Sequence, residues 1–324
     1  MKIGVMMALL GGKRLEEALD YVASKGVDCV ELCAGNYPGD PHFKPAELVA
    51  DKNKRERMLA AVKDRGLTIS ALACHGNPLH PDQKFAKKHH ETVRTAVQLA
   101  KLCGINTVTG FSGCPGGSPS DKTPNWVVTA WPPDFQKALD WQWKEKVIPY
   151  WQREAKFAAD NGVRHAFEMH PGFVVYNTDS LLRLRKACGK YGRVIGANFD
   201  PSHLWWQGMD PLASLRKLGG SLIFHTHAKD TRIDPLNSPV SGNLDVKSYG
   251  DVGARSWVFR TVGYGHGEEF WRDFVSTLAA LGYDGVLSIE HEDSLMNVDE
   301  GFTKAVELLK RVVIRAKPGA MWWA

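Results

Sequence analysis

GVRHAFEMHPGFVVYNTDSLLRLRKACGKYGRVIGANFD, residues 162–200, carries the fold in miniature. Gly162 precedes a short apolar run at 164–170, a segment of helical periodicity occupies 178–190, and beyond Gly189 a second apolar run begins at 194–200. Short runs rich in apolar and β-branched residues read as strands, and the longer 3.6-period segment between them reads as a helix. Glycine at the end of each helix suits the left-handed cap from which the chain reverses into the next strand.

Outward from this stretch the same punctuation repeats. Apolar runs at 2–7, 27–33, 68–75 and 105–111 come before it, and runs at 221–227 and 285–291 follow. Helical segments succeed the eight runs near 14–25, 45–65, 84–103, 134–161, 178–190, 210–218, 267–281 and 298–316, and many close on glycine, at Gly26, Gly66, Gly104, Gly162, Gly189, Gly219 and Gly282. Eight consecutive βα units with right-handed crossovers close into a barrel. An open doubly wound sheet would usually have fewer strands and a glycine-rich phosphate loop after the first. The expected fold is therefore α/β, a (β/α)8 TIM barrel forming one domain over residues 1–324, with no repeat or linker to mark off a second. Two connections are long, 112–133 after strand four and 228–266 after strand seven; each leaves the C-terminal end of a strand and so belongs over the ligand-binding face.

Composition narrows the class. The chain has 324 residues, 44% hydrophobic and 24% charged, with 31 Gly and 17 Pro, which is ordinary globular usage and excludes disordered, collagenous and coiled-coil proteins. A net charge of +5 without a basic run indicates no nucleic-acid surface. No apolar stretch approaches the roughly 18 residues of a membrane-spanning helix, and residues 3–10 lack the cleavage site of a signal peptide. Six cysteines without a Cys-x-x-Cys pair fit reduced thiols in the cytoplasm. Tryptophans cluster in and after the first long loop (Trp126, Trp131, Trp141, Trp143) and after strand six (Trp205, Trp206). Such faces suit a sugar ring, although most tryptophans fill cores or subunit contacts. The apolar tail at Met321, Trp322 and Trp323 is expected to dock on another subunit, as in a homo-oligomer, or to cover the base of its own barrel.

The chemistry concentrates where the last four strands end: Glu168 in FEMH, Asp200 in NFDPSH, His225 and His227 in HTHAKD, and Glu290 in SIEHED. Strand alternation puts His225 with His227, Glu168 with His170, and Glu290 with Glu292, so that one of each pair reaches the top of the barrel axis. Any one of these residues alone would read as a structural ion-pair or hydrogen-bonding partner. Carboxylates crowded at a narrow mouth resist ionisation unless a cation neutralises them, so the joint occurrence points to a divalent metal. Three carboxylates and one imidazole form a mainly hard donor set that suits Mn²⁺ or Mg²⁺, with Co²⁺ or Zn²⁺ as alternatives. By the same positional test His75, ending strand three, is a mouth residue. His203 is placed to reach substrate or an outer ligand, and Arg232 would bind a hydroxyl or phosphate if it is not merely solvated. His266 reads as a loop or helix-start residue.

These motifs resemble the sugar phosphate isomerase/epimerase family, the xylose isomerase-like barrels that include ketose 3-epimerases and inosose dehydratases. The resemblance runs from Met1 to about Val313 and is carried by SALACHGNPLHP at 70–81, Glu168, Asp200-x-x-His203, His227-x-x-Asp230, TVGYGHGE at 261–268 and SIEHED at 288–293. It implies Glu168, Asp200, His227 and Glu290 as metal ligands, with His225 behind His227. His203 and Arg232 would be substrate contacts, and Glu168 and Glu290 would double as the acid/base pair. The implied reaction is proton abstraction next to a carbonyl through a metal-stabilised enediolate, giving isomerisation or epimerisation of a small sugar. Expulsion of a β-substituent from the same enediolate would make a lyase, a dehydratase or deglycosidase acting on a 3-keto sugar or glycoside. The family's apurinic endonuclease branch fits less well, because strand four ends in Thr109-Gly110-Phe111 without the expected histidine. A non-catalytic sugar-binding subunit would not need two apposed carboxylates.

Overall fold

In the computed structural model, which describes residues 1–316 and 319–323, eight strands form a closed parallel barrel. They are β1 (Lys2–Met6), β2 (Cys29–Cys33), β3 (Thr68–Ala73), β4 (Thr107–Gly110), β5 (Arg164–Glu168), β6 (Ile195–Phe199), β7 (Ile223–Ala228) and, after two strands outside the barrel, β10 (Val286–Ile289). The order around the barrel is β1-β10-β7-β6-β5-β4-β3-β2, every neighbouring pair parallel. Strands covered on both faces are mainly apolar, and every residue of β2 and β6 is buried, Glu31 and Asn198 included.

The helices are α1 (Leu15–Ser24), α2 (Pro45–Ala50), α3 (Lys52–Lys63), α4 (Gln83–Cys103), α5 (Pro133–Trp141), α6 (Ile148–Asp160), α7 (Thr178–Ala187), α8 (Ser202–Trp206), α9 (Pro211–Leu218), α10 (Ser238–Ser241), α11 (Glu268–Ala280) and α12 (Val298–Val312). Their apolar faces close over the barrel: on α11, Trp271, Phe274, Val275 and Leu278 recur at helical spacing and are fully buried. The seven glycines expected to cap helices all have positive φ, between 55° and 76°.

Three features depart from the sequence reading. The helix expected over 45–65 is two helices, because Asp51 is extended (φ −112°, ψ 107°) and its carboxylate accepts the amide of Lys54, capping α3. The helix expected over 134–161 is interrupted by a π turn at Gln142–Val147. Pro149, near the start of α6, has no amide hydrogen for the carbonyl four residues back, and the wider turn accommodates that loss. The turn also buries Gln142, whose amide donates to the carbonyls of Gly116 (3.0 Å) and Asn125 (2.6 Å) and so pins the long loop after β4. Finally, the connection 228–266 contains an antiparallel pair, β8 (Asp230–Ile233) with β9 (Trp257–Arg260).

All six cysteines are free, and among the described residues no helix is long and apolar enough to cross a membrane. Trp322 is 87% exposed, so the C-terminal tryptophans do not cover the base of their own barrel.

One stability prediction follows from the packing. His165 is buried between Trp151 and Phe167, and burial pushes its pKa down to about 4; His225 is pushed down to about 4 in the same way. The unfolded chain therefore binds protons that the folded chain refuses between about pH 6.5 and 4. Stability should fall with falling pH through that window, by up to about 1.4 kcal/mol per pH unit for each group. Thermal melts across it should show this loss, with a shallower slope in His165→Phe; a flat profile would contradict it.

Candidate functional site

Four adjacent strands, β5, β6, β7 and β10, converge on one point at their C-terminal ends. Glu168 is the last residue of β5, Asp200 and Glu290 directly follow β6 and β10, and His227 lies one residue before the end of β7. Each offers a ligand atom within 4.8 Å of the others. The side chains of Asp200 and His227 are wholly buried, that of Glu168 is 3% exposed and that of Glu290 16%.

Height along the strand decides within each pair. His225 lies one layer below, its Nδ1 2.9 Å from Asn198 Oδ1 and its Nε2 3.2 Å from Ser70 Oγ. His170 Nδ1 pairs with its neighbouring carbonyl at Pro171 (2.5 Å), and Glu292 is half exposed.

Of the expected substrate contacts, two join the cluster. His75 Nε2 and His203 Nε2 each lie 3.0 Å from one oxygen of Glu168, and His203 Nε2 is also 3.5 Å from Asp200 Oδ2. Burial works against the charge of Glu168, but the imidazoles of His203, His227 and His75 around it hold its pKa well below the usual carboxylate range.

The structure does not bring Arg232 to the cluster. On β8, Thr231 and its β9 partner Phe259 face the site, where the Phe259 ring lies 5.3 Å from that of His203. Arg232 falls on the opposite face of the ribbon and is exposed. Asp230 holds this ribbon in place: one carboxylate oxygen accepts the amides of Gly263 (3.0 Å), Gly265 (3.0 Å) and His266 (2.9 Å), and the other lies 2.9 Å from His266 Nδ1. A Cβ at Gly265 would stand 2.4 Å from the Thr231 carbonyl, so only glycine fits. His266, at the loop end just before α11, stacks on Trp205.

Two site residues escaped the sequence reading. Glu31, wholly buried in the middle of β2, accepts from Thr109 Oγ1 (2.6 Å) and Ser288 Oγ (2.9 Å) and lies 3.0 Å from His227 Nε2. A carboxylate on one imidazole nitrogen fixes the ring and leaves the other for a metal. A lone glutamate in an otherwise apolar strand was the available signal. Lys229, two residues past His227, is the second: it is 2% exposed and its Nζ lies 3.3 Å from Glu290 Oε2. Burial opposes both charges, yet Lys229 and His227 bring the pKa of Glu290 down to about 2.

The site fits a cation. His227 Nδ1 lies 3.0 Å from Glu290 Oε2 and 3.3 Å from Glu168 Oε2, but it is buried with no hydrogen-bond partner, as is Asp200 Oδ2. Burial raises the pKa of Asp200. It opposes a charge on His227, but Glu31 and Glu290 outweigh it and hold that imidazole well above its usual value. Positive charge is therefore favoured where these atoms converge, and three oxygens with one nitrogen suit a divalent ion. Glu31→Gln should weaken Mn²⁺ binding by about 10- to 100-fold while leaving the fold intact, as read by calorimetric titration; unchanged affinity would remove Glu31 from this role.

Aromatic rings wall the mouth. Phe111 stacks on Phe173 at 4.2 Å and meets His75 at 4.7 Å. On the ribbon side, Trp206 stacks on Trp257 at 4.5 Å and Trp257 packs on Phe259 beside His203, the three forming a buried apolar cluster. Trp131, by contrast, is 77% exposed.

Comparison with known proteins agrees with this architecture. The uncharacterised protein YfiH of Bacillus subtilis (strain 168) is 38% identical over 316 residues, covering 97% of this chain and 99% of the relative. Among solved structures, the probable 3-DHS dehydratase AsbF of Bacillus anthracis superposes with a TM-score of 0.64 at 16% identity, covering 96% of this chain and 99% of that one. A D-tagatose 3-epimerase-like protein gives 0.63 at 19% identity, with coverage of 96% and 98%. The IOLI protein with a bound zinc atom gives 0.63 at 18%, with coverage of 97% and 98%. At such identities these likenesses show the fold alone. The profile of one family spans residues 19–312, and with it the barrel is placed: the chain belongs to the xylose isomerase-like TIM barrel family.

Proposed function

We propose that the protein is a divalent-metal-dependent sugar isomerase or epimerase that abstracts a proton next to a carbonyl. The observation that carries this reading is the convergence of Glu168, Asp200, His227 and Glu290 within 4.8 Å at the mouth of the barrel. When bound there, a divalent cation polarises a carbonyl and its adjacent hydroxyl, acidifying the neighbouring C–H. Mn²⁺ is the proposed ion on the hardness of the donor set, with Mg²⁺, Co²⁺ and Zn²⁺ as alternatives.

The chain supplies the rest. Glu168 and Glu290 come from the two ends of the four-strand arc β5-β6-β7-β10, flanking whatever lies between them. One carboxylate takes the proton and the other returns it, to the opposite face for epimerisation or to the neighbouring carbon for isomerisation. His75 and His203 steer the oxygens of Glu168 and are the proposed contacts for substrate hydroxyls. Phe111, Phe173 and Phe259 keep water from the reacting carbon.

A second reading, a lyase acting on a 3-keto sugar or glycoside, uses the same carboxylates, with His203 beside Glu168 as the proposed proton donor to the departing oxygen. One solved relative of this fold is described as a probable dehydratase. Either way the proposed substrate is a small sugar of the cytoplasm, the compartment in which six free thiols stay reduced.

Proton exchange in D₂O tests both readings. The Mn²⁺-loaded protein is incubated with ketoses, inososes and 3-keto glycosides and followed by NMR. Deuterium entering one carbon next to a carbonyl is the expected result, and release of an aglycone or water selects the lyase. Absence of exchange and of release across the panel would contradict both.

A further inference from the structure

At the end of the barrel away from the candidate metal site lies a cavity of about 270 Å³. The first residues of several strands line it, among them Lys2 on β1, Thr68 on β3, Thr107 on β4 and Arg164 on β5, and it reaches inward to Ser70 and His225. Strand alternation puts Arg164 on the same face of β5 as Glu168. Its side chain therefore faces the barrel axis four residues, roughly 13 Å, below that carboxylate.

The hydrogen-bonding groups around this cavity leave donors over, and the donors carry positive charge. A guanidinium has five N–H donors. In Arg164, Nε donates to Thr107 Oγ1 (3.0 Å) and Nη2 to the Phe224 carbonyl (3.4 Å), which leaves the two hydrogens of Nη1 and one of Nη2. Lys2 Nζ gives one hydrogen to Thr68 Oγ1 (3.4 Å) and keeps two. The hydroxyls are already engaged: Thr68 donates to the Asp28 carbonyl, Ser70 to that of Val30, and Thr107 to Asn106 Oδ1, whose amide hydrogens stay available.

Negative charge at the cavity is in short supply. Its one lining carboxylate, Asp284, is paired with the N-terminal ammonium at 2.8 Å. Among the described residues neither Arg164 nor Lys2 has a carboxylate partner. Arg164 is nevertheless half-buried, its guanidinium carbon 4.4 Å from the centre of the Phe224 ring, and burial lowers its pKa. A cation held partly out of water without a counter-charge is costly, and a bound anion would remove that cost.

We propose that the cavity at the base of the barrel is a binding site for a small oxyanion of the phosphate class, held by Arg164 and Lys2. The hydrogens left on Nη1 and Nη2 form an end-on pair that matches two oxygens of one phosphate group. Lys2, exposed at the rim, adds charge, and the Asn106 amide adds a neutral donor. The site stands apart from the reaction proposed for the mouth and does not depend on it.

The test titrates inorganic phosphate into the full-length protein as purified, with no metal added, and reads binding by calorimetry. Wild type should bind one phosphate. Arg164→Met should bind it about 10- to 100-fold more weakly, the range for lost hydrogen bonds to a charged group, while keeping the wild-type circular dichroism spectrum. Lys2→Met should lose only about two- to fivefold, because an exposed charge is screened by solvent. Ribose 5-phosphate, titrated next, separates the sources of the anion: tighter binding than phosphate that is lost in Arg164→Met assigns a phosphorylated ligand, and weaker binding assigns the free anion. No phosphate binding by wild type, or a folded Arg164→Met with affinity within threefold of wild type, would overturn the proposal. If Arg164→Met does not fold, Arg164→Gln is read in the same way. If neither folds, a wild-type crystal soaked in arsenate decides: an arsenic anomalous peak within hydrogen-bonding distance of Arg164 supports the site, and no peak there overturns it.

Discussion

Glu168→Gln is expected to lower the rate of substrate C–H exchange by about 10²- to 10⁴-fold, the span over which a positioned acid or base contributes. Glutamine keeps the shape of the side chain; its amide oxygen can accept from one of His75 and His203, each 3.0 Å from a different oxygen of Glu168, and its amide nitrogen can donate to the other ring, so the melting temperature should stay within a few degrees of wild type. What it lacks is an oxygen that can take a proton. Glu290→Gln should show the same loss, because the returning proton needs the second carboxylate, and the Lys229 ammonium 3.3 Å away can still donate to the amide oxygen. If both variants exchange within tenfold of wild type while folded, the proton carriers lie elsewhere.

Metal removal is the second large effect. Glu31, Glu168 and Asp200 are buried carboxylates gathered with the less buried Glu290, and among the described residues Lys229 is the ammonium that pairs with this group. Chelation should therefore abolish exchange, and Mn²⁺ should restore it. The same ion should raise the melting temperature, since a ligand present at 100 times its dissociation constant adds about 2.7 kcal/mol to folding stability. Asp200→Ala should lose that rise, because it deletes the carboxylate whose Oδ2 stands buried and unpartnered. Full activity in the chelated protein would reject the metal.

The barrel was legible because its signals are local. Each helix, glycine and strand is written in a dozen or two consecutive residues, and the seven glycines at helix ends all take the positive φ that glycine permits, although Gly219, with ψ 155°, lies outside the left-handed helical region. The convergence of Glu168, Asp200, His227 and Glu290 was legible for a related reason: a closed parallel barrel brings the ends of its strands to one rim whatever the loops do.

Beyond the strand ends that logic fades. β8 and β9 are four residues each and 23 residues apart, and their pairing rests on long-range contacts such as those of Asp230 with residues 263–266. Without the ribbon there was no way to see that Arg232 falls on its outer face. Lys229 was within reach, since the two-residue period that pairs His225 with His227 leads directly to it. Glu31 was hidden for the opposite reason, as a charge inside a strand whose pattern otherwise marks it as core. Asp51 and Pro149 were visible as helix breakers, but only the backbone shows that the first splits a helix and the second widens one.

A crystal of the protein soaked in Mn²⁺, with anomalous diffraction recorded at the manganese edge, puts the central claim to its most direct test. The account predicts a single strong peak at coordination distance from Glu168, Asp200, His227 Nδ1 and Glu290. No peak there, or one held by a different set of side chains, would contradict it.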